Sequence, residues 1–494
     1  MKITFLVPPV LDHTQNVDRC FGCNYSIYFL PLLAMLYPAT LLRQRGHSVA
    51  VLDFAAQKKS EKEFREFIQS DDSDIYCLYT VFLSQQTDRL ARGMIRAARP
   101  SATFIFYGPQ PTWDAALLLD RGDTYVVRGE PEFTIASLAD ALLNQADPSG
   151  VDGVSWRGPS GIVHNQPAPI IRSLDTLPLP DRSLLDHRPY LNPKLQSKPH
   201  TAMLTSRGCY AQCWYCVPNS LSYARELEHK RHNGGKPPAR LHSAGRTIEE
   251  FEALAAQGFR SVSVIDDQFL WNESRTVAIC EGIRKLKLEW SCLARADRVT
   301  EKAAQAMAEA GCAYVDLGAE SFDQKVLDAV KKGIAVGATE RAVRILKKCG
   351  IAVELNVLIG ATPEDSEESI AQTLRELKRL DVDYALFSIA NPFPGTEFYE
   401  AAKTNGWLVH GDYVPVDPAR NAIISYPHLS RERMEEIVAR AYREYYLTPK
   451  ALWRELRKTR SLAAFRDKVA TGARFIQRNF VKLARERRHA SRPQ

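Results

Sequence analysis

A chain of 494 residues is too long for a single hydrophobic core, and we expect two to four domains. A composition of 45% hydrophobic and 25% charged residues is typical of a soluble globular protein. No apolar run reaches the roughly 20 residues that span a bilayer, and Met1–Pro9 is too soon broken by proline to be a signal peptide. Ten cysteines without secretory features indicate a reducing compartment, so we expect a cytoplasmic protein whose thiols serve metals.

The net charge of +7 is unevenly distributed along the chain. Residues 451–494 carry 13 Lys and Arg against 3 Asp and Glu. The first 450 residues carry 52 basic and 55 acidic side chains and are nearly neutral. The basic surplus therefore belongs to the C-terminal tail.

Five short apolar runs alternate with helical patterns over residues 1–146. Runs rich in β-branched and aromatic residues predict a parallel α/β sheet of the Rossmann-like or flavodoxin-like type. In such a sheet a ligand binds across the carboxyl ends of the strands. No GxGxxG motif follows the first run, which argues against a dinucleotide. The runs are Ile3–Val7, Ser48–Leu52, Ile75–Tyr79, Thr103–Tyr107 and Thr124–Val127.

Residues 147–199 are predicted to be a linker. Val154–Val163 has the pattern of a β-hairpin that turns at Gly158-Pro-Ser-Gly161. The rest of this segment is punctuated by proline, which favours extended chain over the surface. We therefore expect connecting chain without chemistry.

Three cysteines follow a short apolar strand that ends at Ser206. Cys209, Cys213 and Cys216 have the spacing C-x3-C-x2-C, and thiolates this close are natural ligands of an iron–sulfur cluster or zinc. A [4Fe–4S] cluster held by cysteine needs four ligands, so three leave one iron open. The alternatives are a zinc knuckle or three unrelated buried thiols. A zinc knuckle favours paired C-x2-C units with a fourth ligand at matching spacing, and none follows here.

The cysteine spacing, with the aromatic Tyr215 before the last cysteine, resembles that of the radical S-adenosylmethionine (SAM) enzymes. The resemblance implies that Cys209, Cys213 and Cys216 hold a [4Fe–4S] cluster. It implies that the open iron binds the amino and carboxylate groups of SAM, and that an electron from the cluster cleaves SAM to a deoxyadenosyl radical. An external electron donor of the flavodoxin or ferredoxin type is then expected.

Residues 200–400 alternate strand and helix signals and predict a (βα)6 partial TIM barrel. Polar residues at the strand ends converge on one face, where barrel chemistry occurs. Arg295 and Glu320 are a charge-assisted donor and an acceptor suited to the methionine carboxylate and the ribose. Backbone N–H groups near Gly360 are expected to meet the adenine or ribose, although Gly360-Ala-Thr-Pro-Glu-Asp365 departs from the family's common Gly-x-Pro-Gly-Glu-Thr. The predicted SAM-binding residues are Tyr215, Asp266, Arg295, Glu320 and Gly360.

The first domain resembles the cobalamin-binding domain that precedes many radical SAM domains. The resemblance is carried by Leu41–Asp53, Tyr107–Thr112 and Val127–Glu132. A D-x-H-x-x-G motif is absent, so the resemblance implies cobalamin bound without a protein histidine. The alternative is a degenerate α/β domain that only packs against its neighbour or binds substrate. The predicted cobalamin-binding residues are Gly108, Gly129 and Glu130.

Two further stretches carry weaker signals. Cys20 and Cys23 form a C-x2-C pair, for which incidental thiols are favoured over a second metal site. Glu226–Arg246 is rich in His, Lys and Arg, and its pattern favours a mobile solvated loop over a lid or an anion-binding element.

Residues 401–494 predict a helical C-terminal region with a basic tail. Ser430 is placed to cap an amphipathic helix that runs to Tyr446. The basic tail could contact an anionic membrane, but packing of its apolar face on the body of the protein is favoured. No recognition motif supports nucleic-acid binding, and we do not expect a nucleic acid as a partner. The apolar residues of the tail are Trp453, Leu456, Leu462, Phe465, Phe475, Phe480 and Leu483.

Taken together, the sequence predicts a cobalamin-dependent radical SAM enzyme that methylates an unactivated carbon of a small-molecule substrate. The same parts serve radical oxidation or ring closure, as in the anaerobic oxidative cyclase of bacteriochlorophyll synthesis, which the chain resembles in architecture. Tetrapyrroles, lipids and natural-product intermediates remain open as substrates. A radical enzyme that uses SAM alone, with a vestigial first domain, is a further alternative. A non-enzymatic cobalamin or iron–sulfur redox sensor is the alternative from another class.

Overall fold

The structure is a computed structural model that describes residues 1–12, 14–449, 451, 466, 469 and 472. The tail residues for which we weighed membrane contact lie outside the described residues. In the part of the chain that is described, no helix is both long and apolar enough to cross a membrane.

The first sheet has seven strands in the order β2-β1-β3-β4-β5-β6-β7. Its first five strands are parallel and coincide with the five predicted apolar runs, in the flavodoxin-like order 2-1-3-4-5. The strands are β1 (Lys2–Val7), β2 (Ser48–Asp53), β3 (Ile75–Tyr79), β4 (Thr103–Tyr107), β5 (Thr124–Val127), β6 (Val154–Gly158) and β7 (Gly161–His164). The helices of this domain are α1 (Leu33–Gln44), α2 (Glu61–Ser70), α3 (Gln85–Ala98), α4 (Pro109–Trp113) and α5 (Glu132–Leu143).

The predicted hairpin forms as β6 and β7. β6 pairs antiparallel with β5, and β7 pairs antiparallel with β6. The first sheet therefore extends into the segment that the sequence predicts to be linker.

The second sheet has six parallel strands in the order β15-β14-β13-β12-β11-β8, which is the predicted open barrel. A separate antiparallel pair, β9 (Ser206–Arg207) and β10 (Arg240–Leu241), lies beside its first strand. The barrel strands are β8 (His200–Met203), β11 (Ser261–Val264), β12 (Glu289–Ala294), β13 (Cys312–Glu320), β14 (Ala352–Ile359) and β15 (Tyr384–Ile389).

Helices follow the barrel strands and bury the outer face of the sheet. Their apolar residues form one continuous core with the outward side chains of the strands. The helices are α6 (Ser220–Asn233), α7 (Ala244–Ala256), α8 (Glu273–Ile283), α9 (Glu301–Glu309), α10 (Gln324–Ala329), α11 (Val336–Lys348), α12 (Glu367–Leu380), α13 (Glu397–Thr404) and α14 (Arg431–Tyr446).

The stretch from Glu226 onward begins inside α6, so the prediction of a loop over its first half is wrong. Asn219 caps α6 by accepting a hydrogen bond from the backbone N–H of Ser222, and Gly234 ends it in a left-handed conformation with φ 73°. The polar residues of α6 pair with charged neighbours, for example Glu226 with Lys230 at 3.6 Å. A helix rich in charge was therefore mistaken for solvated chain.

The predicted amphipathic helix α14 covers the edge strand β15. Ser430 caps it by accepting a hydrogen bond from the backbone N–H of Arg433. The hydroxyl of Tyr442 donates to the carbonyl of Phe387 at 2.8 Å and accepts from its N–H at 3.2 Å, and Tyr446 does the same at Ala385. Helix α14 thus satisfies backbone groups that an edge strand would otherwise expose.

Candidate active site

The three cysteines lie on the loop between β9 and α6, beyond the carboxyl end of β8. Asp267, which follows β11, holds both ends of this loop: its carboxylate accepts from the N–H of Gly208 at 2.8 Å and of Asn219 at 2.6 Å. Gly208 has φ 88°, and a Cβ there would lie 2.4 Å from Nη2 of Arg225. The loop therefore starts at a glycine and is anchored by one partly buried carboxylate.

All three thiols are free, with Cys213 buried and the other two partly exposed. Burial raises the pKa of Cys209 and Cys216, and the neighbouring thiols raise the pKa of Cys216 further. No set of three His, Cys, Asp or Glu side chains among the described residues converges on one metal ion. Each cysteine of a [4Fe–4S] cluster binds a different iron, so its ligands need not converge on one point. Three free thiols on one anchored loop fit such a cluster.

Lys236, on the chain between α6 and β10, lies over the cysteine loop. Its Nζ donates to the carbonyl of Ala211 at 3.2 Å, between Cys209 and Cys213. Burial alone would lower the pKa of Lys236, but Cys216, Glu226 and the other two cysteines raise it overall. The lysine thus places a positive charge beside all three thiols.

Three of the five predicted SAM-binding residues lie together next to the cysteines. Arg295 donates from Nε to the hydroxyl of Tyr210 at 3.0 Å, and Cys213 and Cys209 are among the groups that act on its charge. Burial raises the pKa of Tyr215, and Glu320, Cys213 and Cys216 raise it further. Tyr215, Arg295 and Glu320 therefore lie near the cysteines, at the carboxyl ends of β12 and β13.

Glu320 has a strained backbone at the end of β13. Its φ of 61° is unusual for a residue with a side chain, and the pairing of β13 with β14 is irregular between Gly318 and Glu320. Its carboxylate accepts from Nζ of Lys332 at 2.8 Å. The irregularity turns the Glu320 side chain to the mouth of the barrel, and backbone strain of this kind concentrates at functional sites.

Asp266 and Gly360 have their polar atoms engaged within the protein. Asp266 is fully buried, and its two oxygens accept four hydrogen bonds from Thr205 and Ser206. The N–H of Gly360 donates to Asp365 at 2.8 Å, and its carbonyl accepts from Tyr426 at 3.0 Å. These hydrogen bonds position the strand ends, and the contacts of both residues with SAM stay predictions.

Glu130, predicted to contact cobalamin, joins the two domains. Its carboxylate accepts from Arg207 at 2.9 Å, from Arg240 at 2.5 Å and from the N–H of Ile171 at 2.8 Å. Burial alone would raise the pKa of Glu130, but Arg207 and Arg240 lower it well below its usual range. The carboxylate is engaged in an ion-pair network, and the cobalamin contact of Glu130 stays a prediction.

Gly108 and Gly129, the other predicted cobalamin contacts, lie at the carboxyl ends of β4 and β5. A Cβ at Gly108 would lie 2.7 Å from the carbonyl of Thr80, so only glycine fits this close approach. Two buried side chains at the same edge, Thr80 and Gln110, have an oxygen without a hydrogen-bond partner among the described residues. Unpaired buried oxygens at a strand edge fit a ligand with amide donors, such as the corrin side chains of cobalamin.

Cys20 and Cys23 lie near the junction of the two domains. The Sγ of Cys20 is 3.8 Å from the carbonyls of Leu30 and Pro31, and the Sγ of Cys23 accepts from the Asn24 amide at 3.3 Å. Their interpretation as incidental thiols stays a prediction.

A family model described as the radical SAM superfamily matches residues 203–377. This range contains the cysteine loop and most of the barrel. Over these residues the chain is similar to the radical SAM superfamily. The match ends inside α12, so the first domain of this chain lies outside it.

Relatives and solved structures extend the match over both domains. An uncharacterized methyltransferase of Pyrococcus horikoshii is 29% identical over 464 residues, which are 92% of this chain and 95% of that protein. The anaerobic magnesium-protoporphyrin IX monomethyl ester cyclase of Synechocystis sp. is 24% identical and covers 92% of this chain and 88% of its own length. The radical SAM methyltransferase TsrM from Kitasatospora setae, solved with cobalamin and a [4Fe–4S] cluster bound, has a TM-score of 0.62 at 18% identity over 82% of this chain and 75% of its own.

These matches confirm the predicted fold and the predicted resemblance to the cobalamin-dependent branch of the radical SAM proteins. The sequence pattern alone does not single out Asp267 and Lys236 as neighbours of the cysteine loop. Asp267 stood next to Asp266 at one strand end, and the pattern does not say which of the two reaches the loop. Lys236 was one basic residue among many in a charged stretch.

Proposed function

We propose that this chain is a cobalamin-dependent radical SAM enzyme that methylates an unactivated carbon of a small-molecule substrate. The observation that carries the proposal is the anchored loop with three free thiols at the mouth of an open barrel. When bound, a [4Fe–4S] cluster with one open iron supplies the electron that cleaves SAM, and cobalamin supplies a carrier for the methyl group. Cys209, Cys213 and Cys216 hold the cluster in this account.

SAM binds among Arg295, Glu320 and Tyr215 in this proposal. Arg295 offers its guanidinium to the methionine carboxylate, because its hydrogen bonds use Nε and Nη2 and none runs from Nη1 to any described residue. Glu320, held by Lys332, accepts from the ribose hydroxyls. Tyr215 packs beside Cys213 and Cys216 and excludes water from that side.

The first domain binds cobalamin along the edge that carries Gly108 and Gly129. The carboxyl ends of its strands, the general ligand site of such sheets, carry the unpaired oxygens of Thr80 and Gln110. Helix α6, which follows the cysteine loop, packs against α4 beside Gly108. The domain order therefore sets the two cofactors near one substrate. An external electron donor of the flavodoxin or ferredoxin type completes the set of partners.

Radical ring closure is the second candidate reaction. It is favoured by the match to the Synechocystis cyclase, which extends over 92% of this chain. Both reactions begin with the same cleavage of SAM, and they differ in whether the product gains a methyl group or loses hydrogen.

The test is anaerobic reconstitution with iron, sulfide, cobalamin, SAM and dithionite, followed by mass analysis. We expect wild type to release deoxyadenosine, and Cys213→Ala to lose both the cluster absorbance and this product. Cys349→Ala, at the C-terminus of the outer helix α11, is the control and should behave as wild type. A cluster that forms without any deoxyadenosine would instead indicate the redox sensor. Unchanged iron content in Cys213→Ala would refute the ligand assignment.

A further inference from the structure

The inner face of the barrel is partly open along β13, β14 and β15. On these strands most residues that face the helices are buried, whereas most that face the barrel axis keep partial exposure. The alternation follows from the two-residue period of a strand, and the register sets the inward residues side by side. We call this space the lumen, lined by Asp316, Asn356, Leu358, Tyr384, Leu386 and Ser388.

The end of the lumen away from the cysteine loop is closed by Lys194, which comes from the segment between the domains. Its ammonium pairs with Glu354 and lies 4.9 Å from the ring centre of Tyr314. Asn192 adds a hydrogen bond from its amide to the hydroxyl of Tyr314 at 2.7 Å. The other end of the lumen is the site of Glu320, so a molecule in the lumen lies below the proposed SAM site.

Three carboxylates face the lumen, and two of them have cationic partners. Glu354 pairs with Lys194, and Glu320 pairs with Lys332 at 2.8 Å. Asp316, which lies beside Glu354 in the register of β13 and β14, forms no ion pair within 4 Å with any residue that the structure describes. Asp316 therefore has no cation of its own within ion-pair distance among the described residues, and the ionised form of a carboxyl group in such a site is stabilised by an added cation.

Asp316 and Asn356 form a hydrogen-bonded pair of side chains beside the lumen. Asp316 accepts from the Asn356 amide nitrogen at 2.8 Å, which uses a donor of that amide. The amide oxygen of Asn356 is buried and has no hydrogen-bond partner within the described residues. Burial and the nearby Glu354 raise the pKa of Asp316 well above its ordinary value, although Lys194 and the hydrogen bond from Asn356 act against this rise.

We infer that the substrate carries a cationic nitrogen, an ammonium or guanidinium group on an apolar body, which Asp316 and Asn356 bind in the lumen. The nitrogen supplies a positive charge beside Asp316 and a donor for the amide oxygen of Asn356. Leu358, Leu386 and Tyr384 contact the apolar body. The inference rests on the proposed function, since it takes the lumen as the substrate site of the radical enzyme.

The test compares three probes with one skeleton: phenethylamine, phenethyl alcohol and phenylacetate. Binding to the reconstituted enzyme with SAM is measured by calorimetry or saturation-transfer NMR. Wild type should bind the amine at least about tenfold more tightly than phenylacetate, because like charges repel in a desolvated site. Asp316→Asn should abolish this preference, whereas Asp152→Asn, on an exposed residue of the first domain, should keep it.

Equal or tighter binding of phenylacetate, or no binding of any of the three probes, would overturn the inference. An intact preference for the amine in Asp316→Asn would overturn it as well. If Asp316→Asn does not fold, the wild-type preference still decides the question. The binding measurement does not require turnover. A protein that binds the amine but releases no deoxyadenosine would therefore contradict the proposed function and leave this inference standing.

Discussion

Gly318 has no room for a side chain beside the proposed SAM site. A Cβ there would lie 2.5 Å from the Glu320 carboxylate and 2.7 Å from Nζ of Lys332. The strained Glu320 therefore needs a glycine at position 318 to leave room for its carboxylate, which the hydrogen bond from Lys332 then holds in place. One added carbon atom at Gly318 would displace the Glu320 carboxylate, which is the proposed acceptor for the ribose hydroxyls.

Gly318→Ala should displace the pair of Glu320 and Lys332 and weaken SAM binding by about tenfold, which is about 1.4 kcal/mol. Overpacking should also lower the free energy of unfolding by about 1–3 kcal/mol. Equilibrium dialysis with labelled SAM measures the first effect. Gly337→Ala, whose Cβ would meet nothing within 4 Å, is the control. If Gly318→Ala binds SAM as tightly as wild type does, Glu320 does not belong to the SAM site.

His200 makes the stability of the barrel depend on pH. It is 2% exposed at the start of β8, and burial, with a smaller effect of His187, lowers its pKa from 6.5 to about 3. The unfolded chain then binds a proton that the folded chain does not, so stability is lost as pH falls below 6.5. Between pH 7 and pH 5 this histidine should cost about 2 kcal/mol.

Chemical denaturation of cluster-free protein at the two pH values checks this expectation. His200→Asn removes the titrating group, so its free energy of unfolding should fall by about 2 kcal/mol less than that of wild type over this range. Every other titrating group is common to both proteins. Identical pH dependence in the two proteins would mean that His200 titrates normally in the fold.

At the scale of elements, the chain between α6 and β10 folds back over the cysteine loop. Helix α6 ends at Gly234, and Lys236 then reaches the carbonyl of Ala211. Charges and hydrogen bonds around an iron–sulfur cluster tune its reduction potential. A positive charge beside the thiols favours the reduced cluster, which carries one more negative charge.

Lys236→Gln should therefore shift the midpoint potential of the reconstituted cluster to a more negative value. Lys236→Arg keeps the charge and should stay close to wild type. Redox titration followed by electron paramagnetic resonance measures both variants. A potential unchanged in Lys236→Gln would show that the lysine acts only through its contact with Ala211.

Most strands and helices could be predicted from the sequence because their hydrophobic residues recur with a clear period. The runs at β1 to β5 and at the barrel strands are rich in β-branched and apolar residues, and short runs of this kind favour buried strands over helices or loops. Contacts at the strand ends were not predictable in the same way. Asp266, Gly360 and Glu130 have the right residue types at the right places, but only the structure shows that their polar atoms bind Thr205, Asp365 and Arg207.

The lumen residues were missed for a related reason. Asp316 and Asn356 interrupt apolar strands at inward positions, and this alternation is a signal that the sequence contains. Polar residues are expected at strand ends, so the predicted site residues all lie there and not in the middle of the strands. A polar residue in the middle of a barrel strand is the more informative departure from the pattern.

At the scale of the whole molecule, buried ion pairs join the first domain to the barrel. Glu130 bonds Arg207 and Arg240, Glu132 bonds Arg207 at 2.6 Å, and Arg128 bonds Glu228 at 2.9 Å. Arg207 lies directly before the cysteine loop. The docking of the domains and the start of the loop are therefore fixed by the same network.

Glu130→Gln should destabilise the protein by about 3 kcal/mol, because it leaves two buried guanidinium groups poorly compensated. Glu66→Gln breaks an exposed pair with Lys62 at 3.8 Å and should change stability by less than about 0.5 kcal/mol. Thermal unfolding of both variants measures the difference. A stable Glu130→Gln that fails to retain cobalamin would support the contact predicted from the sequence.

The account depends on an iron that the protein leaves open for SAM. The most direct measurement is electron paramagnetic resonance of the reduced, reconstituted cluster before and after SAM is added. We predict that SAM changes the spectrum, and that nitrogen and oxygen nuclei of labelled SAM couple to the cluster. An unchanged spectrum, or a cluster with four protein ligands, would contradict the account.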